Sequence, residues 1–576
     1  MNLRMRTLTL VAGLMLALAP AGAGAASTVP AISAPGRVVL DVDAGAVSEN
    51  VDGGYVSSTL ALPDGGALLV GTSYAGPNNI LIAHVDRTGR PAGDVVRVNL
   101  AAEKFSLIQA LRRPDGRLLL IGTEPAADVT AGAQMVVAQL TAAGVLDASF
   151  GTGGFASTGV VAGCGSICPV AALAPDGGIV LTGWTGKIKP LPAPGDYSAL
   201  RWVVARLTPG GTLDSGFGSG GVVTFPTPGG EGMNIAVLGD GRIVSDAAVG
   251  GAAGTRSMLL ARLTATGTMD PTFNGGAVVT VGFSGFPMLA EPDGSVVLAG
   301  QLPGQPTPPF TSGNGVIARY TPAGAPDPAF GSGGTVDLGA RVVVEQLLPG
   351  TGGTTLATMS SVPTYKPLNG VVVRSIAANG STTGSLTVPL PFGGGGSSFL
   401  VSHNPRPLPS ILQNSFRGRQ LVQRADGSYI VGGGVIVSTP TGEGAGRSIF
   451  RFAAMSLTSA FNSDPAFGGP PVIPGLTTNL PHQRGRTAST RHGIRVRIVS
   501  SGVGLARVKV KSGGKVIAQS VVPLFHTGAQ TLPVELTKTG NTLLRHISRR
   551  VRVSISVSMR DLFLTPSKAT AVGNLR

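Results

Sequence analysis

The sequence predicts an all-β chain, a seven-bladed β-propeller of four-stranded antiparallel sheets followed by a small immunoglobulin-like β-sandwich. Three observations predict it. A Pro-Asp-Gly turn ahead of a short aliphatic run recurs along the chain, and an Asp-x-x-Phe turn recurs between its copies. Beyond residue 490 the pattern changes to apolar/polar alternation.

The first repeat is Pro63-Asp64-Gly65-Gly66 before Ala67-Leu68-Leu69-Val70-Gly71, and Pro114-Asp115-Gly116-Arg117 before Leu118-Leu119-Leu120-Ile121-Gly122. It returns around Asp176, Asp240, Asp293 and Asp426, with a decayed seventh copy at Pro349-Gly350-Thr351-Gly352. Pro presets φ, the Asp carboxylate holds the local backbone and Gly takes a positive φ, so the motif closes a hairpin. The runs on either side are four to six residues, which is strand length and too short for a helix.

The second repeat begins with Val203-Val204-Ala205-Arg206-Leu207, passes through Leu213-Asp214-Ser215-Gly216-Phe217 and ends in Gly220-Gly221-Val222-Val223. Its sisters carry Asp147 and Phe150, Asp270 and Phe273, Asp327 and Phe330, and Asp464 and Phe467. Copies near Gly93-Asp94 and Gly384-Ser385-Leu386 lack the phenylalanine. Each unit therefore holds four strands: a before Pro-Asp-Gly, b after it, c ending in arginine, and d after the phenylalanine. A lone sheet of this kind cannot bury both faces, and radial stacking of several does.

These residues resemble the bacterial delta-60 repeat, whose hallmark is an Asp-x-x-Phe-Gly turn after an Ala-Arg strand. The resemblance runs roughly from 36 to 474 and implies a β-propeller. Gly36-Arg37-Val38-Val39-Leu40 reads as a d-strand arriving before any a-strand, placed to complete the last blade and remove an exposed sheet edge.

The c-strand arginine recurs as Arg206, Arg262, Arg319 and Arg374, replaced by His84 and Gln139 in the first two units. Because aspartates recur in the same units, these arginines are expected to be buried and paired, locally or with a neighbouring blade. Phe150, Phe217, Phe273, Phe330 and Phe467 are expected to pack between blades.

In such a meander the a-to-b and c-to-d turns emerge at one end, and the longer b-to-c and d-to-a connections at the other. Irregular insertions on one face of a repeat protein mark a binding face. The residues to test there are Trp184, Lys187, Lys189, Tyr197, Phe310, His403, Asn404 and Arg406. Cys164 and Cys168, in a Gly-rich loop on the same side, are the chain's two cysteines and are expected to form a local disulfide.

Residues 475–490 read as a linker and 491–576 as the basic sandwich. Residues 484–576 hold 17 Lys or Arg against Glu535 and Asp561, a net +15 that equals the charge of the whole chain and leaves the remainder neutral. Arg495, Arg497, Arg507, Lys509, Lys511, Arg549, Arg550 and Arg552 are expected to form a basic patch for an anionic cell-wall polymer. Nucleic acid is not expected, since few aromatics are interleaved for base stacking.

At the N-terminus, Arg4 and Arg6 precede an apolar run from Leu8 to Ala19 and then Ala23-Gly24-Ala25. Residues 1–25 read as a signal peptide and 26–35 as a lead, so a secreted or cell-surface protein without a membrane span is expected. Six histidines stand singly, with no His-x-x-x-His, Gly-x-Ser-x-Gly or phosphate loop. The acidic cluster Asp41, Asp43, Glu49 and Asp52 lacks a full calcium loop. The expectation is a monomeric, non-catalytic binder of an unknown protein or glycan, without cofactor or metal. The alternative is a polysaccharide lyase or glycosidase with carboxylates in the channel, on fold analogy alone.

Overall fold

The turns form as their chemistry dictates. In the six intact Pro-Asp-Gly-type turns the Asp Oδ1 accepts the backbone N–H two residues on, at 2.8–3.0 Å. The second turn repeats the device at Asp147, Asp214, Asp270, Asp327 and Asp464, at 2.9–3.1 Å. Hairpins closed this way build antiparallel meanders. The computed structural model describes residues 31–34, 36–40, 51–73, 79–100, 105–125, 133–162, 169–186, 199–250, 256–283, 285, 287–302, 314–340, 342–350, 353–361, 370–389, 400–402, 421–438, 448–460, 462–468, 475–481, 493–501, 504–524, 528–545, 550–561 and 566–575.

Among the described residues, units two to six are five separate four-stranded antiparallel sheets, spanning 106–162, 170–228, 230–281, 288–340 and 342–389. Unit one (51–61, 67–73, 79–85 and 96–99) and unit seven (421–423, 429–438 and 448–457) share a ten-stranded sheet. Parallel pairing of 51–53 with 448–450 joins them, so these two units are not separate sheets as the repeat implied. The strand Arg37–Leu40 pairs antiparallel with 452–455 and takes the d-position of unit seven. Ala31–Ala34, read from the sequence as lead, is a further strand outside it.

The core lies between sheets. Phe150, Phe217, Phe273, Phe330 and Phe467 are each at most 1% exposed. At each of them the next residue donates its N–H to a turn carbonyl of the following unit: Gly151 to Gly210, Gly218 to Thr266, Asn274 to Ala323 and Gly331 to Asn379. From unit seven, Gly468 donates to Thr88 of unit one at 2.7 Å. The close approach explains one glycine directly: a Cβ on Gly211 would sit 2.8 Å from the Phe150 ring, at a backbone φ of +85°.

The a-strands add a second set of links. Gln109 grips Ala171 of the next unit through both its amide atoms, and Gln346 grips Leu421 in the same way. Ser58 Oγ accepts the Ala110 N–H at 2.8 Å. Every consecutive pair of units is hydrogen-bonded by one set or the other, and the last unit is bonded to the first.

The C-terminal region packs a three-stranded sheet (476–479, 494–500 and 528–534) on a four-stranded one (504–512, 515–524, 551–561 and 566–575). Ile494, Val496 and Ile498 from the first meet Val508, Val510, Val553, Ile555 and Val557 from the second, all at most 1% exposed. Two features depart from the sequence reading. Leu476–Asn479 lies inside the expected linker yet pairs with Ile494–Ser500. An α-helix, Lys538–Arg545, interrupts the strands; Thr537 Oγ1 caps it by accepting the Gly540 N–H, and Leu544 anchors it in the core.

Candidate functional site

Arg206, Arg262 and Arg374 each reach a neighbouring unit, and Arg319 pairs within its own. Arg262 is 1% exposed and donates to Asp270 at 2.7 Å, to Thr272 Oγ1 at 2.9 Å and to the Pro322 carbonyl of the next unit at 2.7 Å, with its guanidinium 4.7 Å above the Phe273 ring. Arg206 reaches Asp176, Asp214 and the Ala265 carbonyl of the next unit. Arg319 pairs with Glu291 and Asp327. Arg374 reaches the Leu338 carbonyl at 3.4 Å.

In two of the units whose c-strand lacks arginine, the second and the seventh, a guanidinium comes from elsewhere; in unit one the equivalent position is Leu62. In unit two the c-strand residue is Gln139, which donates to Asp147. Arg113, just ahead of Pro-Asp-Gly, then bonds the carbonyls of Gly177 and Pro209. Pro209, Ala265 and Pro322 are the same turn position in successive units. In unit seven Ser456 stands on the c-strand, and Arg424 donates to it from the position equivalent to Arg113. The sequence reading missed Arg113 and Arg424. Their signal is complementarity: each precedes the Pro-Asp-Gly-type turn of a unit that has no c-strand arginine.

A second buried polar group was also missed. Asp246, on the b-strand Ile243–Gly250, occupies the position filled by Val70, Ile121, Thr182 and Ala299 in other units. It is fully buried, and Asn234 bonds it through the backbone N–H (2.8 Å) and through Nδ2 to both oxygens (3.1 and 3.0 Å). Burial pushes its carboxyl up to about 7 against the opposing bonds from Asn234. Alongside, Ser245 Oγ donates to the Asn234 carbonyl, and Thr182 Oγ1 accepts from Trp202 Nε1 at 3.1 Å.

The pH dependence follows from linkage. The folded carboxyl keeps its proton to about pH 7, whereas the unfolded one loses it near 3.8, so the folded state binds more protons between those values. This group's contribution to stability therefore falls as pH rises from 3.8 to about 7 and is level above. Asp246→Asn is expected to match the parent near pH 4 and to melt higher at pH 8. Parallel melting curves at the two pH values check it; an equal difference at both would reject it.

All seven b-to-c connections leave from one end of the sheets, after Ser73, Pro125, Thr185, Gly250, Gln301, Ser361 and Ser438. Of the residues expected on that face, Lys187, Lys189, Tyr197, Phe310, His403, Asn404 and Arg406 lie outside the described residues, as do Cys164 and Cys168. Trp184 is described and is not on the surface. It closes the b-strand Ile179–Thr185, is 2% exposed and packs with Leu200 and Met233 in the core. Among the described residues no cluster of His, Cys, Asp or Glu could hold a metal ion, and no helix is long and apolar enough to cross a membrane.

The expected basic patch divides. Arg495 and Arg497 point outward from the three-stranded sheet, while Arg507, Lys509, Lys511 and Arg552 lie on the outer face of the four-stranded one. The sheets share a core, so the two groups face opposite directions. Arg550 is exposed just before the strand Val551–Asp561, and Arg549 lies outside the described residues.

Residues 174–217 and 238–273 match a family model described as a domain of unknown function (DUF5122) beta-propeller. No curated protein matches the sequence. Among solved structures, prolyl oligopeptidase B from Galerina marginata aligns at 10% identity and TM-score 0.38, over 78% of this chain and 55% of that one. The chain thus spans about half of that enzyme's length. A glucose dehydrogenase aligns at 14% identity and TM-score 0.30, over 54% of this chain and 94% of that one. An ancestral GH74 enzyme aligns at 9% identity and TM-score 0.36, over 90% and 62%. Likeness at these scores carries no argument about chemistry.

Proposed function

We propose that this β-propeller protein is an exported, non-catalytic binding scaffold whose seven units close into one ring, with its ligand face at the open-loop end and a basic immunoglobulin-like domain that associates with an anionic surface polymer. One observation carries the reading: the asymmetry between the two ends of the sheets. At one end every intact turn is tight and held by its own aspartate. At the other end the b-to-c connections run from five residues (74–78 and 251–255) to fifteen (186–200), whereas the d-to-a connections at 229 and 341 are single residues and depart from the long connections expected there. Length without repeat chemistry is what a binding surface needs and what a structural turn does not.

Closure of the ring is supported by the bond from Gly468 to Thr88, which repeats the link made between units two and three, three and four, four and five, and five and six. Export is supported by the Arg4/Arg6, apolar, Ala-x-Ala sequence of residues 1–25, and an exported chain would join Cys164 to Cys168. The immunoglobulin-like reading is supported by three strands packed on four.

A glycan array followed by a screen of acidic polysaccharides tests the function. The expected result is retention of at least one ligand class with no new reducing ends or unsaturated products. Turnover of a retained polysaccharide would replace this reading with the lyase or glycosidase alternative.

A further inference from the structure

The outer face of the four-stranded sheet has a regular chemistry that the opposite sheet lacks. Its register places Arg507, Ser558 and Lys568 in one row, Lys509, Ser556 and Thr570 in the next, and Lys511, Ser554 and Val572 in a third, with Arg552 beyond. Arg507, Lys511, Arg552 and Lys568 are exposed and Lys509 is half-buried. Among the described residues this face presents no acid and no aromatic ring. Residues i and i+2 of a strand stand about 6.7 Å apart, so Arg507, Lys509 and Lys511 form a line of three charges about 13 Å long with hydroxyls beside it.

We propose that this face binds a linear phosphate-bearing polymer, held through its charges and the intervening hydroxyls. The proposal rests on the reading that the C-terminal domain associates with an anionic polymer, and it names the chemistry and the face. Arginine and lysine match phosphate oxygens, and serine and threonine add neutral donors between them. Sugar rings and nucleobases gain much of their affinity by stacking on aromatic rings, which this face does not offer. Among the described residues Val572 is the large exposed apolar side chain here, too little to enter a lipid surface.

The test is equilibrium binding of defined-length inorganic polyphosphate to the full chain over a range of salt. With five cations engaged, log affinity should fall against log salt with a slope of about −3.5. Arg507→Ser with Lys509→Ser, both at surface positions, should weaken binding at least about tenfold and flatten that slope, whereas Arg495→Ser with Arg497→Ser should change it less than about twofold. Equal losses from both pairs would overturn the assignment of the face. Equal affinity for polyglutamate or for a polysulfate of matched charge would overturn the assignment of phosphate. Either result leaves association with an anionic polymer standing, whereas a parent chain that binds no polyanion defeats both proposals.

Discussion

Arg262→Ala is expected to destabilise the chain by about 3–5 kcal/mol, the usual consequence of removing one partner from a buried, hydrogen-bonded ion pair. The guanidinium is 1% exposed and satisfies Asp270, Thr272 and the Pro322 carbonyl across the blade boundary, so its loss strands a carboxylate and opens the joint between units four and five. The pH profile adds a signature. Burial raises the Asp270 carboxyl, but bonds from Thr272 and then Arg262 outweigh it and hold the group at about 2, below its ordinary 3.8. That stability is complete above 3.8 and is lost as pH falls toward 2, so the parent should lose more stability over that interval than the variant. Chemical denaturation at pH 7 and pH 3 measures both effects.

Two companions sharpen the test. Arg374→Ala, at a half-buried site with one bond of 3.4 Å, should cost under about 1 kcal/mol. Arg113→Ala should also destabilise, by less than Arg262→Ala because Arg113 bonds two carbonyls and strands no carboxylate, and adding Gln139→Arg should restore much of the loss, because a c-strand arginine reaches this carbonyl position from units three and four. An Arg262→Ala chain that melts like the parent but has lost its ligand would mean that the arginine serves binding and not the joint.

Deleting residues 31–40 is expected to have the larger effect. Val38 and Leu40 are fully buried against Phe452, Ala454 and Phe467, and each contributes about 1.5–3 kcal/mol by burial. The strand 448–457 would also be left with an unpaired edge, an invitation to pair with another chain. The truncated protein should unfold at lower temperature, elute partly as oligomers and exchange the amides of 452–455 rapidly. Val38→Asp should lower the melting temperature in the same direction while keeping the edge covered. A truncated chain that stays monomeric with unchanged melting would show that this strand does not close the last unit.

What the sequence disclosed was local chemistry. The Asp and Gly of each turn act within two or three residues, so their roles were readable, and the closing strand was readable because Gly36–Leu40 repeats the d-strand pattern. Chemistry that one place in space draws from two places in sequence was hidden. Arg113 and Arg206 serve equivalent joints, between units two and three and between units three and four, from different places in the repeat, and a scan of the c-strand column alone cannot find the former. Alternation showed that Arg495 and Arg507 point outward, but not that their strands belong to opposite sheets. The helix Lys538–Arg545 contains Gly540, Asn541 and two threonines, weak helix formers; it exists because Thr537 caps it and Leu544 packs. Trp184 sits at the mouth of a long loop in sequence, and only the fold turns it into the core.

The claim on which the rest depends is that the units close on themselves. X-ray diffraction from crystals of the chain measures this directly: the expected density shows seven repeat units around one axis, with Arg37–Leu40 hydrogen-bonded to 452–455 and Gly468 to Thr88. A different number of units, an open array, or residues 37–40 paired elsewhere would contradict it.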